Sequence, residues 1–155
     1  MAQTVDRSAW EGLYRQEFPT LYRALAAALL DADSARDALQ DAFLEGLRRP
    51  PRDENVRGWL YRVALRKAHR GRRREKSLGE IAEVRDELDA ALDRIEVGSL
   101  LRYLTERQRA VVIARFYLGL RHEEIAAALG VRTGTVSATL SQALAKMRLE
   151  GGHAD

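Results

Sequence analysis

The chain has 155 residues and a formal net charge of +3, with 46% hydrophobic residues, enough for one domain or two small ones. It has no cysteine, which excludes disulfides and thiolate zinc sites and suits a reducing, cytoplasmic setting. Asp6 and Glu11 stand where a secretory signal would carry a basic run, and the greasiest segment, Leu21 to Leu30, contains Arg23 and is too short to span a membrane.

The small net charge hides blocks of opposite sign. Residues 1–55 hold seven Lys/Arg and ten Asp/Glu, and residues 56–76 hold nine Lys/Arg against Glu75 alone. Residues 77–101 hold two against seven, and residues 102–155 eight against five. Such alternation points to nucleic acid on one surface and a different partner on another. Ala, Leu, Arg and Glu dominate and no stretch alternates over strand length, so the chain is expected to be all-α.

In chain order, Ser8 to Glu17 reads as a short helix with Trp10, Leu13 and Tyr14 on its apolar side. Phe18-Pro19-Thr20 reads as a break, with Pro19 opening a second helix to Leu30. The capping residues Asp31 to Ser34 start a third, running to about Arg49, whose apolar positions are Ala35, Leu39, Ala42 or Phe43, and Leu47. Two prolines and a polar run make residues 50–55 a loop.

Val56 to about Lys76 carries two stripes. Leu60, Val63, Ala64 and Ala68 form an apolar one, while Trp59, Arg62, Arg66, Arg70 and Arg73 recur at i, i+3 and i+4. Cations for phosphates in line with a ring for an unpaired base suit nucleic acid. The alternative is a solvated basic face with Trp59 tucked into the core.

Residues 77–87 read as a linker, and Ala90 to Tyr103 begins a second helical domain. Thr105 and Gln108 form a capping box ahead of a helix that stops at Gly119. Residues 123–140 read as a helix-turn-helix: Ile125 and Leu129 share one face, Val136 and Leu140 another, and Ala126 is small. Gly130 supplies the left-handed turn residue and Thr133 the cap of the second helix, which continues to about Leu149. A helical hairpin in a bundle core is the alternative. Residues 151–155 read as a tail.

Four segments in this order resemble the extracytoplasmic-function (ECF, group IV) sigma factors of the sigma-70 family. Asp37, Gln40, Asp41 and Phe43 match the region 2.2 pattern Asp-x-x-Gln-acidic-x-Phe, and Trp59 to Ala64 the run that opens the promoter-melting helix. Leu104 to Arg109 resembles the family's Leu-x-x-x-x-Arg segment, and Glu124 to Val136 its helix-turn-helix. The resemblance implies a region 2 domain over residues 1–76, the 77–87 linker and a region 4 domain over residues 88–150. It implies that Asp37, Gln40, Asp41 and Phe43 meet the β′ clamp helices of core RNA polymerase, while region 4 meets the β flap. Arg52 and Asn55 in the loop, with Trp59, Arg62, Arg66, Arg70 and Arg73, would hold the opened −10 strand of promoter DNA.

The chain departs from the family pattern at several points. Leu65-Arg66 replaces Arg-Asn, and Arg121 and Arg132 replace the usual capping Ser or Thr, which would send both arginines to the −35 backbone. Ser137-Ala138-Thr139 and Gln142 replace the basic readers, leaving Thr133, Thr135, Ser137, Thr139, Ser141 and Gln142 to face the −35 bases. The resemblance also implies an anti-sigma factor as partner.

Two other readings compete: a stand-alone helix-turn-helix regulator, against which the weakly basic recognition helix argues, and a sigma-like decoy. His69, His122 and His153 are scattered without ligand spacing, so no metal, cofactor or catalysis is expected.

Overall fold

The computed structural model describes residues 7–52, 55–75 and 98–152, the side chains of 72–75, 98, 99 and 152 excepted. These residues are helical with no strand among them. The expected linker, most of Ala90 to Tyr103, and His153 lie outside the described residues.

Helix α1 runs without a break from Arg7 to Leu29, where the sequence suggests two helices. Pro19 lies inside it and removes one backbone hydrogen bond. Pro19 and Arg15 are both exposed, so the carbonyl that Pro19 leaves free faces water. The aromatic side chains around it hold the helix across this point. Tyr14 and Phe18 lie 4.9 and 6.2 Å from the Phe43 ring, and Trp10 donates its indole N–H to the Phe43 carbonyl at 3.1 Å. The end of α1 is buried on every side: all of Ala24 to Leu29 are at most 2% exposed. Alanines there let several helices approach one axis.

Leu30 takes a left-handed φ of 52°, and Asp31 then caps α2 (Ala32–Arg48), accepting from the Ser34 amide at 3.1 Å. Helix α2 lies along α1 and along α3 (Val56–Glu75). Gly46 fits between two rings: a Cβ there would collide with Trp10 and come within 3.1 Å of Trp59.

The second half begins with α4 (Gly98–Leu101) and α5 (Glu106–Val112), the latter opened by the reciprocal Thr105–Gln108 capping box. The chain continues as a π-helical turn, Ile113–Tyr117, in which the Leu118 amide reaches the Ile113 carbonyl. Gly119 and Gly130, both with positive φ, bracket α6 (His122–Leu129), and α7 (Thr133–Gly152) follows. Ile125 and Val136 are fully buried and Leu129 and Leu140 partly so, as the helix-turn-helix pattern requires. Thr133 is a correction: the Val136 amide bonds the Arg132 carbonyl, so Arg132 stands at the cap and Thr133 is the first helical residue.

The two halves share one core, and α3 lies between them. Gly58 to Tyr61 and Val63 to Leu65 are buried, so α3 has a second apolar face, carried by Tyr61 and Leu65, beyond the stripe legible in sequence. The Tyr61 hydroxyl donates to the Ala110 carbonyl at 2.9 Å. Arg109, only 7% exposed, donates from Nη1 to the Leu104 carbonyl at 2.6 Å and from Nε to the Ala28 carbonyl at 3.0 Å. Ala28 is in the last turn of α1, where carbonyls lack helical partners and the helix dipole is negative, so this guanidinium caps α1 from the other half. Arg57 forks onto Glu17 at 2.8 and 3.0 Å and reaches the Leu118 carbonyl, while Arg23 donates to the Tyr117 hydroxyl at 2.8 Å.

Candidate nucleic-acid interface

Helix α2 buries Ala35, Ala38, Leu39, Ala42, Phe43 and Gly46, which leaves the opposite face to solvent. That face carries Asp37, Gln40 and Asp41, all exposed, and continues at helical spacing into Leu44 (51% exposed) and Leu47 (37%). Two corrections follow. Phe43, expected at a partner interface, is 3% exposed and belongs to the aromatic core under α1. Leu47, expected in the core, is on the outer face. Leu44 is a residue the sequence reasoning missed. Its signal was its spacing of i+4 from Gln40 and i+3 from Asp41. Together these residues form an acidic patch ending in two uncovered leucines.

On α3 the cation stripe separates by depth. Arg66 and Arg70 are exposed and Arg62 is half-buried, whereas Trp59 is 9% exposed and packs on Gly46. Trp59 is therefore core, and its expected role as a stacking platform is corrected: the close approach of α2 at Gly46 draws the ring inward. The Arg73 side chain is outside the described residues; Arg52 is exposed on the loop before α3. Asn55 caps α3, its Oδ1 accepting from the Arg57 amide at 3.0 Å.

The loop and the first turns of α3 face the start of α6. Asn55, Trp59 and Arg62 line a cleft whose other wall is Arg121, Glu123 and Glu124. Glu124 accepts from the Arg121 amide at 2.9 Å and from its guanidinium at 3.3 Å. The reciprocal half of a capping box cannot form, because a guanidinium offers no acceptor. The Arg121 amide holds the Glu124 carboxyl below its ordinary range, with further support from the Asn55 side chain and the Arg121 guanidinium, against the opposing effect of burial. Along the same helix a second cleft lies between Arg62, Arg66 and His69 and the wall formed by Arg107 and Ala127 to Gly130, with His69 Nε2 3.2 Å from Glu106.

On α7 the buried face is Val136, Thr139, Ala143 and Met147. Thr139 is thus another correction, turned inward by its three-residue spacing from Val136. Thr133, Thr135, Ser137, Ser141 and Gln142 are exposed, as is Arg132 in the turn. The side chain of Arg121 is 77% exposed but tied to Glu124.

The model for sigma-70 region 2 matches residues 13–78 and that for sigma-70 region 4 matches residues 94–147. The chain is 31% identical over 150 residues to the ECF RNA polymerase sigma factor SigM of Mycobacterium tuberculosis, covering 92% of this chain and 76% of that one. The chain belongs to the ECF sigma factors of the sigma-70 family. Another similar sigma factor, SigL of the same organism, is 27% identical and matches 96% of this chain and 92% of its own. In fold, the chain is similar to CnrH, solved with the cytosolic domain of CnrY (TM-score 0.70, 23% identity, 97% of this chain and 92% of that one). It is also similar to the sigma factor RpoE of Bartonella quintana, solved with the anti-sigma factor NepR (TM-score 0.65, 17% identity, 91% and 95%).

As a sigma factor the chain serves RNA polymerase at promoters, and the α6–α7 pair is its region 4 helix-turn-helix. No helix among the described residues is long and apolar enough to cross a membrane.

Proposed function

We propose that this sigma factor docks on the β′ clamp helices through Asp37, Gln40, Asp41, Leu44 and Leu47, and holds the opened −10 strand along Arg52, Asn55, Arg62, Arg66 and Arg70, with Arg73 extending the row. The observation that carries the reading is the presence in one chain of an exposed acid-and-leucine face on α2 and an exposed arginine row on α3. Acid and leucine suit a protein partner; spaced guanidinium groups suit a sugar-phosphate strand.

The exposed Thr133, Thr135, Ser137, Ser141 and Gln142 read the −35 element, with Arg132 and Arg121 on its phosphates. Thr, Ser and Gln make single or bidentate contacts to base edges without the guanine preference of arginine. Residues 1–76 and 88–150 act as the two working units, the second also meeting the β flap. The protein works in the cytoplasm and makes or breaks no bond: its contribution is binding energy directed at strand separation. An anti-sigma factor holds it inactive, a reading supported by its likeness to a sigma factor solved in complex with the anti-sigma factor NepR.

The test is run-off transcription with core polymerase, combined with permanganate probing of the melted region. Asp41→Arg with Leu44→Ala lowers polymerase binding at least about tenfold, the scale of losing a desolvated anchor. Arg66→Ala with Arg70→Ala keeps polymerase binding and loses melting. Tight duplex binding by the protein alone, with no initiation on addition of polymerase, would instead support a stand-alone regulator.

A further inference from the structure

The second cleft along α3 has a volume of about 570 Å³, the size of a small-molecule site. Its lining is of two kinds. Arg62 and Arg66 on α3 face Arg107 on α5, so guanidinium groups from two helices converge on the same space. Arg66 and Arg107 are exposed and Arg62 is half-buried. Glu106 is the one carboxylate among the lining residues, and His69 Nε2 stands 3.2 Å from it. Planar guanidinium forks on both sides match the oxygens of a phosphate chain between them.

The rest of the lining carries no charge. Leu65 and Ala110 are buried and apolar, and Ala127, Ala128 and Leu129 bring in the last turn of α6. That helix closes on the left-handed Gly130, and the amides of Gly130 and Val131 both return to the Ala126 carbonyl. In a continuing helix the Val131 amide would have served the Ala127 carbonyl. The end of α6 therefore offers carbonyls to donors from outside the helix, and its dipole disfavours an anion there. A ligand that suits the whole cleft has two ends: a phosphate chain among the arginines, and a flat, neutral group with N–H donors against α6.

We propose that this cleft binds a nucleoside polyphosphate, its phosphates between Arg62, Arg66 and Arg107 and its base against Ala127 to Leu129. Inorganic phosphate would leave the apolar end empty, and a fatty acid would bring no donor to the α6 carbonyls. Arg62 and Arg66 also belong to the row given to the −10 strand, so nucleotide and strand are alternatives on those two side chains. Nucleotide binding is independent of the −10 reading and is measured on the free chain.

The test is isothermal titration calorimetry of the full chain with ATP and, separately, with inorganic triphosphate, at about 0.15 M salt so that loose ionic contacts are screened. The wild type is expected to bind ATP at least about tenfold more tightly than triphosphate, since only ATP fills the apolar end. Arg107→Ala changes an exposed side chain outside both DNA-binding rows. It is expected to weaken both ligands about tenfold, the scale of one charge-assisted contact. Ala127→Leu fills the α6 end and is expected to weaken ATP about tenfold while leaving triphosphate unchanged. Circular dichroism checks that both variants keep their helix content, and Arg107→Ala carries the test if Ala127→Leu does not. Equal affinity of the wild type for ATP and triphosphate would mean an arginine cluster that takes any polyanion, and overturns the proposal. So does a wild type that binds neither ligand, or an Arg107→Ala chain that binds ATP as the wild type does. None of these outcomes bears on melting by Arg66→Ala with Arg70→Ala, which tests the −10 row separately.

Discussion

Gly46 lies in the interior of a helix, where glycine costs about 1 kcal/mol relative to alanine. It is tolerated because the space a methyl group would need is filled by Trp10 and Trp59. Gly46→Ala gains helix propensity and loses more to overpacking, so a net loss of about 1–2 kcal/mol is expected, read as a lower midpoint in thermal unfolding. The same pocket explains why Trp59 misleads in sequence. Its spacing from Arg62 and Arg66 places it on their stripe, but nothing in that spacing reports that α2 presents a glycine opposite. Trp59→Ala should cost about 3–5 kcal/mol, as for other buried aromatics. Arg66→Ala should leave the unfolding midpoint nearly unchanged. A similar loss of stability in both variants would place Arg66 in the packing as well.

At the scale of elements, the first turn of α6 depends on one carboxylate. Its hydrogen bonds hold the Glu124 carboxyl below the ordinary 4.5, so it stabilises the fold above that pH and this contribution is lost as pH falls through the lower folded value. The protection factor of the Arg121 amide, its exchange rate taken relative to an unstructured amide at the same pH, should therefore fall in acid, and Glu124→Gln should remove that pH dependence. Helix positions, the Thr105 capping box and the Gly130 turn were legible because each depends on neighbours within four residues. The continuity of α1 through Pro19 was not, since it depends on Phe43, contributed by another helix. The π turn was hidden for a related reason. Phe116 follows the buried Val112 by four residues, and an α-helical register would bury it. The wider turn leaves it 62% exposed and brings Tyr117 to Arg23.

For the whole molecule, the all-helical class could be read from composition, but the seam between the two halves could not. Tyr61, Leu65 and Arg109 look like ordinary helix residues until α3 is seen with neighbours on both sides. Burial pushes the Tyr61 hydroxyl well above its ordinary 10, with Glu106 adding to the effect. The folded state thus favours the neutral phenol. Its stabilising contribution is complete below pH 10 and declines as pH rises beyond it, because the unfolded chain then gives up the proton more readily. The wild type is expected to lose stability above about pH 10 more steeply than Tyr61→Phe, as followed by denaturant midpoint against pH. The closed seam also affects the order in which the chain can fold. The last turns of α1, Ala24 to Leu29, have no solvent face, yet Tyr117, which bonds Arg23, lies 94 residues further along. At roughly 5–20 residues per second, a ribosome needs about 5–20 s to supply that stretch. During this interval the helix must persist with one side uncovered. A run of alanines suits that wait, since alanine holds a helix well while offering neighbouring nascent chains little surface on which to stick.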